Sequence, residues 1–316
     1  MIDIFSGFLG AGKTMLIKKL INEKLHSDNI VIIENEFGEV GIDGSILKRT
    51  NIEVKEINAG CICCSISGDF KKAIKEVIEK YRPERIIIEP SGVGKLSEIL
   101  NSINSEDMRS SVKLNMIITL VDVLKYEMYI TNFGEFYRNQ IINAKTIILS
   151  RTQKIAMDRL EKITAAIRNL NQNANIITTP WDRLNANTIV EVAENDAKFD
   201  INEKVNLLKK PARNLNFRIA KNHHADQIFN TWGVETPKIF SEVILKNIFS
   251  RLEDSEQYGT VLRAKGIVQV SDNKWVQFDY VPEEFQVKDT SPDYTGRICV
   301  IGSDLKKDEL MSLFSI

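Results

Sequence analysis

Three groups of residues in the first hundred positions have types and spacings that could do chemistry. Gly7-Phe8-Leu9-Gly10-Ala11-Gly12-Lys13-Thr14 satisfies the phosphate-binding pattern G-x-x-x-x-G-K-[ST] at every defined position. Its glycines allow the backbone to turn amide groups around an anion, and the helix that should start there adds partial positive charge at the same point. Lys13 is then placed to reach the β- and γ-phosphates of a nucleotide, and the Thr14 hydroxyl to ligate the Mg²⁺ that bridges them. Ala11 and Met15, close to these two residues in the sequence, are expected to contact the nucleotide as well. Cys61, Cys63 and Cys64 form the second group. Thiols this closely spaced can turn at least two sulfurs toward one soft or borderline cation such as Zn²⁺. They could equally be small buried apolar groups or a redox pair. The third group is acidic: Glu36 and Glu39 after one apolar run, and Glu89 at the end of another, followed by Pro90-Ser91-Gly92. A carboxylate delivered by a buried strand suits a Mg²⁺-bound water, and a glycine at position 92 lets its amide approach a γ-phosphate.

These groups need a scaffold, and the hydrophobic pattern supplies one. Short β-branched runs at 2–5, 30–33, 52–57, 85–89, 116–121, 146–149 and 175–178 alternate with amphipathic helical patterns. One such pattern carries Leu16, Ile17, Leu20, Ile21 and Leu25, and another Phe70, Ala73, Ile74, Val77 and Ile78. Alternation of this kind predicts an α/β fold, a mostly parallel sheet covered by helices on both faces. In such sheets ligands gather beyond the carboxyl ends of the strands, where all three groups fall. Asp122 ends the fifth run, and Ser150-Arg151-Thr152-Gln153 follows the sixth, where recognition of a nucleotide base is expected.

A polar, asparagine-rich stretch from 185 to 210 interrupts the pattern and places a domain boundary at 204/205. Residues 1–204 then form the nucleotide-binding domain and 205–316 a smaller α+β domain. The second domain has strands expected at 215–219, 260–270, 274–280 and 297–301, helices at 237–252 and 304–314, and a turn at Ser271-Asp272-Asn273. His223-His224 reads as a solvated pair and Cys299 as a core thiol.

A formal net charge of -1 gives no basis for attraction to nucleic acid. No apolar run approaches the roughly 18 residues of a membrane span, and no charged leader precedes the first strand. Four cysteines, three of them clustered, are too few for a disulfide framework. The expectation is a cytoplasmic protein with reduced thiols.

With Gly-Phe-Leu-Gly-Ala-Gly-Lys-Thr at 7–14, Glu-Asn-Glu-Phe-Gly at 34–38, Gly-Cys-Ile-Cys-Cys at 60–64 and Glu-Pro-Ser-Gly at 89–92, the chain resembles the CobW-like P-loop GTPases. The Arg263-Ala264-Lys265-Gly266 segment is similar to that family's carboxy-terminal domain. The resemblance implies a GTPase that couples nucleotide state to handling of a transition metal, Zn²⁺ or Co²⁺. The metal would sit on Cys61, Cys63 and Cys64 and Mg-GTP on the phosphate loop, with a client metalloprotein as partner. The family's guanine motif, Asn-Lys-x-Asp, is replaced here by Ser150-Arg151-Thr152-Gln153. Gln153 offers a neutral acceptor in place of a carboxylate, and Arg151 could stack, so weaker guanine selectivity is expected. Met15 stands where many members have a second threonine. Lys13, Glu36 and Glu89 are the residues expected to serve slow hydrolysis of GTP or ATP. The alternatives are a non-hydrolysing, nucleotide-gated thiol or metal sensor or binding module, an ATP-specific member of the same fold, and a small-molecule kinase.

Overall fold

The computed structural model describes residues 1–34, 53–56, 67–194, 228–271 and 274–316. Glu36, Glu39, Cys61, Cys63, Cys64, His223, His224, the strand expected at 215–219 and the 204/205 boundary lie outside these residues. The chain divides into two compact units, whose described parts are residues 1–34, 53–56 and 67–194, and residues 228–271 and 274–316.

The first unit is a seven-stranded, wholly parallel sheet in the order β3-β2-β4-β1-β5-β6-β7. Its strands are β1 (Ile2–Gly7), β2 (Ile30–Glu34), β3 (Glu53–Glu56), β4 (Arg85–Glu89), β5 (Leu114–Asp122), β6 (Thr146–Ser150) and β7 (Asn175–Ile177). The apolar runs are strands because branched residues at consecutive positions fill both faces of a covered sheet. Ile2, Ile4, Val31, Ile33, Ile86 and Ile88 point to one face. There they meet α2 (Ser67–Tyr81), through Phe70, Ile74 and Val77, and α3 (Leu96–Ile103), through Leu96, Ile99 and Ile103. The alternate residues Ile32 and Ile87 are equally buried, so the other face is covered too. α1 (Lys13–Leu20), continued by one wider turn over Ile21–Leu25, packs on β1.

The polar stretch after 185 is not irregular from its start, as its composition suggested. Ala186–Glu194 is a helix, α8, that buries Ala186, Ile189, Val190 and Ala193 on one face and packs against β5 and α1. Four buried residues at helical spacing outweigh the asparagines, which take the exposed positions. The remaining helices of this unit are a single turn at Glu106–Arg109, α4, then α5 (Tyr126–Asn132), α6 (Gly134–Ile142) and α7 (Met157–Leu170).

The strand order places β1 at the reversal of the winding: the chain builds outward through β2 and β3, returns as β4 beside β1, then crosses to β5 on its far side. Such a switch point opens a crevice at the carboxyl edge, and the loop after β1 sits in it. The opposite edge is closed by charge. Arg85 donates to the carboxylate of Asp3, to Asp28 Oδ2 at 2.9 Å and to Glu194 Oε1 at 3.4 Å. Asp3, fully buried, also accepts from Met116 N at 3.0 Å and Asn115 Nδ2 at 2.9 Å.

The second unit is a five-stranded antiparallel sheet in the order β11-β10-β9-β12-β8. Its strands are β8 (Asn230–Thr236), β9 (Thr260–Ser271), β10 (Lys274–Val281), β11 (Glu284–Thr290) and β12 (Gly296–Ser303). α9 (Glu242–Arg251), the single turn α10 (Ser255–Tyr258) and α11 (Lys307–Phe314) share its core, in which Trp232, Phe249, Phe278 and Phe314 are buried. The helix expected from 237 begins later. Ser241 caps it by accepting from Ile244 N, while Phe240 N donates to Gln269 O and keeps the preceding residues extended along β9. Cys299 is buried in β12.

Removing Arg85 strands the buried Asp3 carboxylate. Arg85→Ala is expected to lower unfolding free energy by about 3–5 kcal/mol in urea titrations. Lys75→Ala, which breaks only an exposed pair with Asp107, is expected to cost less than about 1 kcal/mol.

Candidate functional site

β1 ends at Gly7, and α1 begins at Lys13 after five intervening residues. Gly12 caps α1 with φ +103°, a left-handed backbone that residues with a Cβ rarely adopt, and its carbonyl accepts the first helical bond from Leu16 N. Lys13, buried, folds back across the turn and donates to Gly7 O at 3.0 Å and Phe8 O at 3.4 Å. The next residue, Thr14, donates its hydroxyl to both carboxylate oxygens of Glu89, at 2.9 and 3.1 Å. Residues 75 apart in sequence thus meet because β4 lies beside β1. A hydroxyl and a carboxylate in contact are the hard oxygen ligands that Mg²⁺ takes, so the donor set fits that ion.

The loop is held from behind by aromatic rings. Phe8 is buried against Tyr129 at 4.4 Å between centroids, and against Phe133 and Tyr137, each at 5.6 Å. These rings come from α5, α6 and the residue that joins them. Tyr129 also points its hydroxyl at Leu9 O, at 3.5 Å. Burial, reinforced by the charge of Asp122, pushes the Tyr137 phenol well above its usual range. Tyr137 therefore stays a neutral wall at any ordinary pH.

Two further segments grip the loop. A Cβ on Gly92 would lie 2.8 Å from Leu9 N, so the segment after β4 can lie against the phosphate loop only because residue 92 is glycine. Gln140 of α6 secures that segment, donating to Gly92 O and Gly94 O, both at 2.9 Å. Lys95 pairs with Glu135 at 2.6 Å on the same helix. From the other side, Arg151 extends one nitrogen to Gly10 O at 3.1 Å and to Asp122 Oδ2 at 2.5 Å. Asp122 uses its second oxygen to accept from Leu124 N at 2.9 Å. Arg151 thus ties the ends of β5 and β6 to the phosphate loop with the guanidinium that could have stacked on a base. Ser150 and Thr152 are buried beside it, and neither hydroxyl has a hydrogen-bond partner among the described residues.

On the last loop, after β7, Trp181 brings Cζ2 to 3.7 Å from the Cβ position of Gly12. Sequence reasoning passed over Trp181, Gln140 and the role of Asp122. A tryptophan in a polar loop at the carboxyl end of a strand was the signal available for the first; nothing local marked the second. Glu34, Glu56 and Glu89 lie in register across β2, β3 and β4. β2 and β3 therefore end at the edge where Glu89 stands. β3 is two strands from β4, about 10 Å.

Residues 1–178 match the CobW/HypB/UreG nucleotide-binding domain, and residues 229–315 match the cobalamin synthesis protein cobW C-terminal domain. The chain belongs to the CobW/HypB/UreG family. Among relatives, it is 25% identical over 345 residues to zinc-regulated GTPase metalloprotein activator 1 of Schizosaccharomyces pombe, covering 97% of this chain and 83% of that one. It is 37% identical over 126 residues to the zinc chaperone CobW of a Sinorhizobium species, covering 38% of this chain and 35% of that one. It is 29% identical over 183 residues to the zinc chaperone YjiA of Escherichia coli, covering 56% of each. The matched segments thus span about a third to a half of the two zinc chaperones. No helix among the described residues is long and apolar enough to cross a membrane.

The contact between Gly92 and Leu9 leaves no room for a methyl group. Gly92→Ala is expected to destabilise the first unit by about 1–3 kcal/mol in urea unfolding. It should also weaken nucleotide binding measured by calorimetry, because the displaced atoms belong to the phosphate loop.

Proposed function

We propose that this chain hydrolyses GTP slowly and uses the nucleotide cycle to take up zinc or cobalt on Cys61, Cys63 and Cys64 and deliver it to a client metalloprotein. The observation that carries the reading is the Thr14 to Glu89 hydrogen bond next to Lys13. It joins a phosphate-binding cation and a pair of hard-cation ligands at one point of the sheet edge. The relatives' names support both halves, since they pair GTPase with zinc regulation and zinc with a chaperone role.

In this reading Lys13 holds the γ-phosphate oxygens and stabilises the charge that gathers on them as the phosphoryl group transfers. Mg²⁺ held by Thr14 and Glu89 would supply further neutralisation of phosphate charge. Glu36 or Glu89 orients the attacking water. The water oxygen bonds to the γ-phosphorus and gives up a proton to a phosphate oxygen, the bond to the bridging oxygen of the β-phosphate breaks with its electron pair staying on the GDP, and inorganic phosphate leaves. Coupling to metal requires contacts that differ between the two nucleotide states. The Gly92 segment, pressed on the phosphate loop, and the cysteine-bearing residues 57–66, which follow β3 in the sequence, are the elements assigned to make them in this reading.

The test is turnover and linkage on the purified chain. Lys13→Ala is expected to lower GTP hydrolysis about 100-fold or more in a phosphate-release assay. Zn²⁺ or Co²⁺ should tighten GTP binding, and the Cys61/Cys63/Cys64→Ser triple variant should abolish that tightening. Purely additive binding of metal and nucleotide would overturn the coupling, and phosphate release indifferent to Lys13→Ala would overturn the hydrolase.

A further inference from the structure

We propose that Trp181 is the stacking platform for the purine of the bound nucleotide, and that this base-tolerant contact takes over from charged readout of guanine. The inference deepens the reading of a nucleotide site at the phosphate loop and rests on it.

Three observations converge. The first is position. Trp181 is half-buried, and its Cζ2 stands 3.7 Å from the Cβ position of Gly12, the residue that opens α1 behind the phosphates. The second is that the backbone turn carrying the indole is held there. Residues 180–184 form a tight turn, with Arg183 N donating to Pro180 O at 3.0 Å and Leu184 N to Trp181 O at 3.3 Å. α1 anchors that turn through one stripe of side chains spaced four apart. Lys19 donates to Asp182 O at 3.5 Å and pairs with Glu23 at 2.6 Å, and Glu23 accepts from Ala186 N at 3.2 Å, at the start of α8. Met15, one turn earlier on that stripe, is exposed at the rim of the loop.

The third observation is what the neighbouring strand end offers. Residues 150–153 carry no carboxylate. Arg151 is engaged by Gly10 and Asp122, and both oxygens of Asp122 accept bonds within the scaffold. What remains at 150–153 is neutral: the buried hydroxyls of Ser150 and Thr152, each able to donate or accept, and the amide of Gln153. Neutral groups that can present either polarity discriminate weakly between the hydrogen-bonding edges of guanine and adenine. An aromatic face contributes affinity to both, because each base has a π-face. The ligand class is therefore a purine nucleoside triphosphate rather than GTP alone.

Calorimetric titration of GTP, ATP and inorganic tripolyphosphate, each with Mg²⁺, tests this on the full chain. Trp181→Ala is expected to weaken GTP and ATP by the same factor, about 10-fold within a range of roughly 5- to 100-fold, and to leave tripolyphosphate unchanged. Trp181→Phe should recover most of the loss. GTP and ATP should differ by less than about 10-fold in the wild type, since neither meets a charge-assisted pair. Fluorescence gives an independent readout. In a Trp232→Phe/Trp275→Phe variant, whose remaining tryptophan is Trp181, nucleotide should still quench the fluorescence. Unchanged GTP and ATP affinities in Trp181→Ala would overturn the platform. A GTP preference beyond about 100-fold that disappears in Asp182→Asn would show charged readout from the same loop and overturn it as well. Failure of the wild type to bind tripolyphosphate or either nucleotide would instead strike the underlying nucleotide site.

Discussion

Burial of Phe8 is the constraint on which the site depends. A phosphate loop has to keep its backbone exposed to an anion, so it cannot be stabilised from the front. Here the second residue of the loop is turned inward, and its ring is enclosed by Tyr129, Phe133 and Tyr137. Burying a phenyl group contributes about 1.5–3 kcal/mol, and each favourable ring pair adds about 0.5–1.5 kcal/mol. That is enough to fix the loop's rear wall without a side chain on its ligand side. Phe8 also explains why α5 and α6, two short helices with no ligand-binding motif, lie where they do.

From that anchor the other supports follow in order. The loop's rear is apolar, so its polar carbonyls must be satisfied from the flanks. Arg151 reaches Gly10 from one side, and the Tyr129 hydroxyl reaches Leu9 from another. Segment 90–94 closes a third side at a separation that only glycine permits, while Gln140 satisfies the carbonyls that this packing buries. An arginine suits position 151 because one guanidinium can meet a carboxylate and a carbonyl at once, where an ammonium would be a single point charge. The same logic recurs at the far edge of the sheet, where Arg85 collects Asp3, Asp28 and Glu194. Two guanidiniums thus brace opposite ends of the strands. The ligand edge between β1 and β4 is left to Lys13, Thr14 and Glu89.

The division of labour between strand ends has a chemical consequence. Carboxylates near the phosphate loop are of two kinds. Glu89 meets a hydroxyl, a contact that a cation can share, whereas Asp122 is engaged by an arginine and a backbone amide. The first is suited to an exchangeable ion and the second to architecture. The hydrophobic pattern alone could not separate them, since both are acidic residues closing buried strands.

Much of the first unit was legible in the chain itself. The strand-loop-helix around Lys13 and the seven apolar runs depend on local periodicity and on glycine spacing, and these survive folding unchanged. The amphipathic pattern of α2 and the burial of Cys299 were legible for the same reason. What tertiary structure alone decided were contacts between residues far apart in sequence. Gln140 to Gly92, Arg151 to Gly10 and Trp181 beside Gly12 exist because parallel crossovers bring the carboxyl ends of β1, β4, β5, β6 and β7 to one edge. α8 went unseen because its polar exposed face dominated its composition, and its apolar stripe acquires meaning only against β5 and α1. The edge strands β8 and β11 were missed for a related reason. With few buried side chains of their own, they are defined by pairing to β12 and β10, an interaction between backbones that side-chain pattern does not encode.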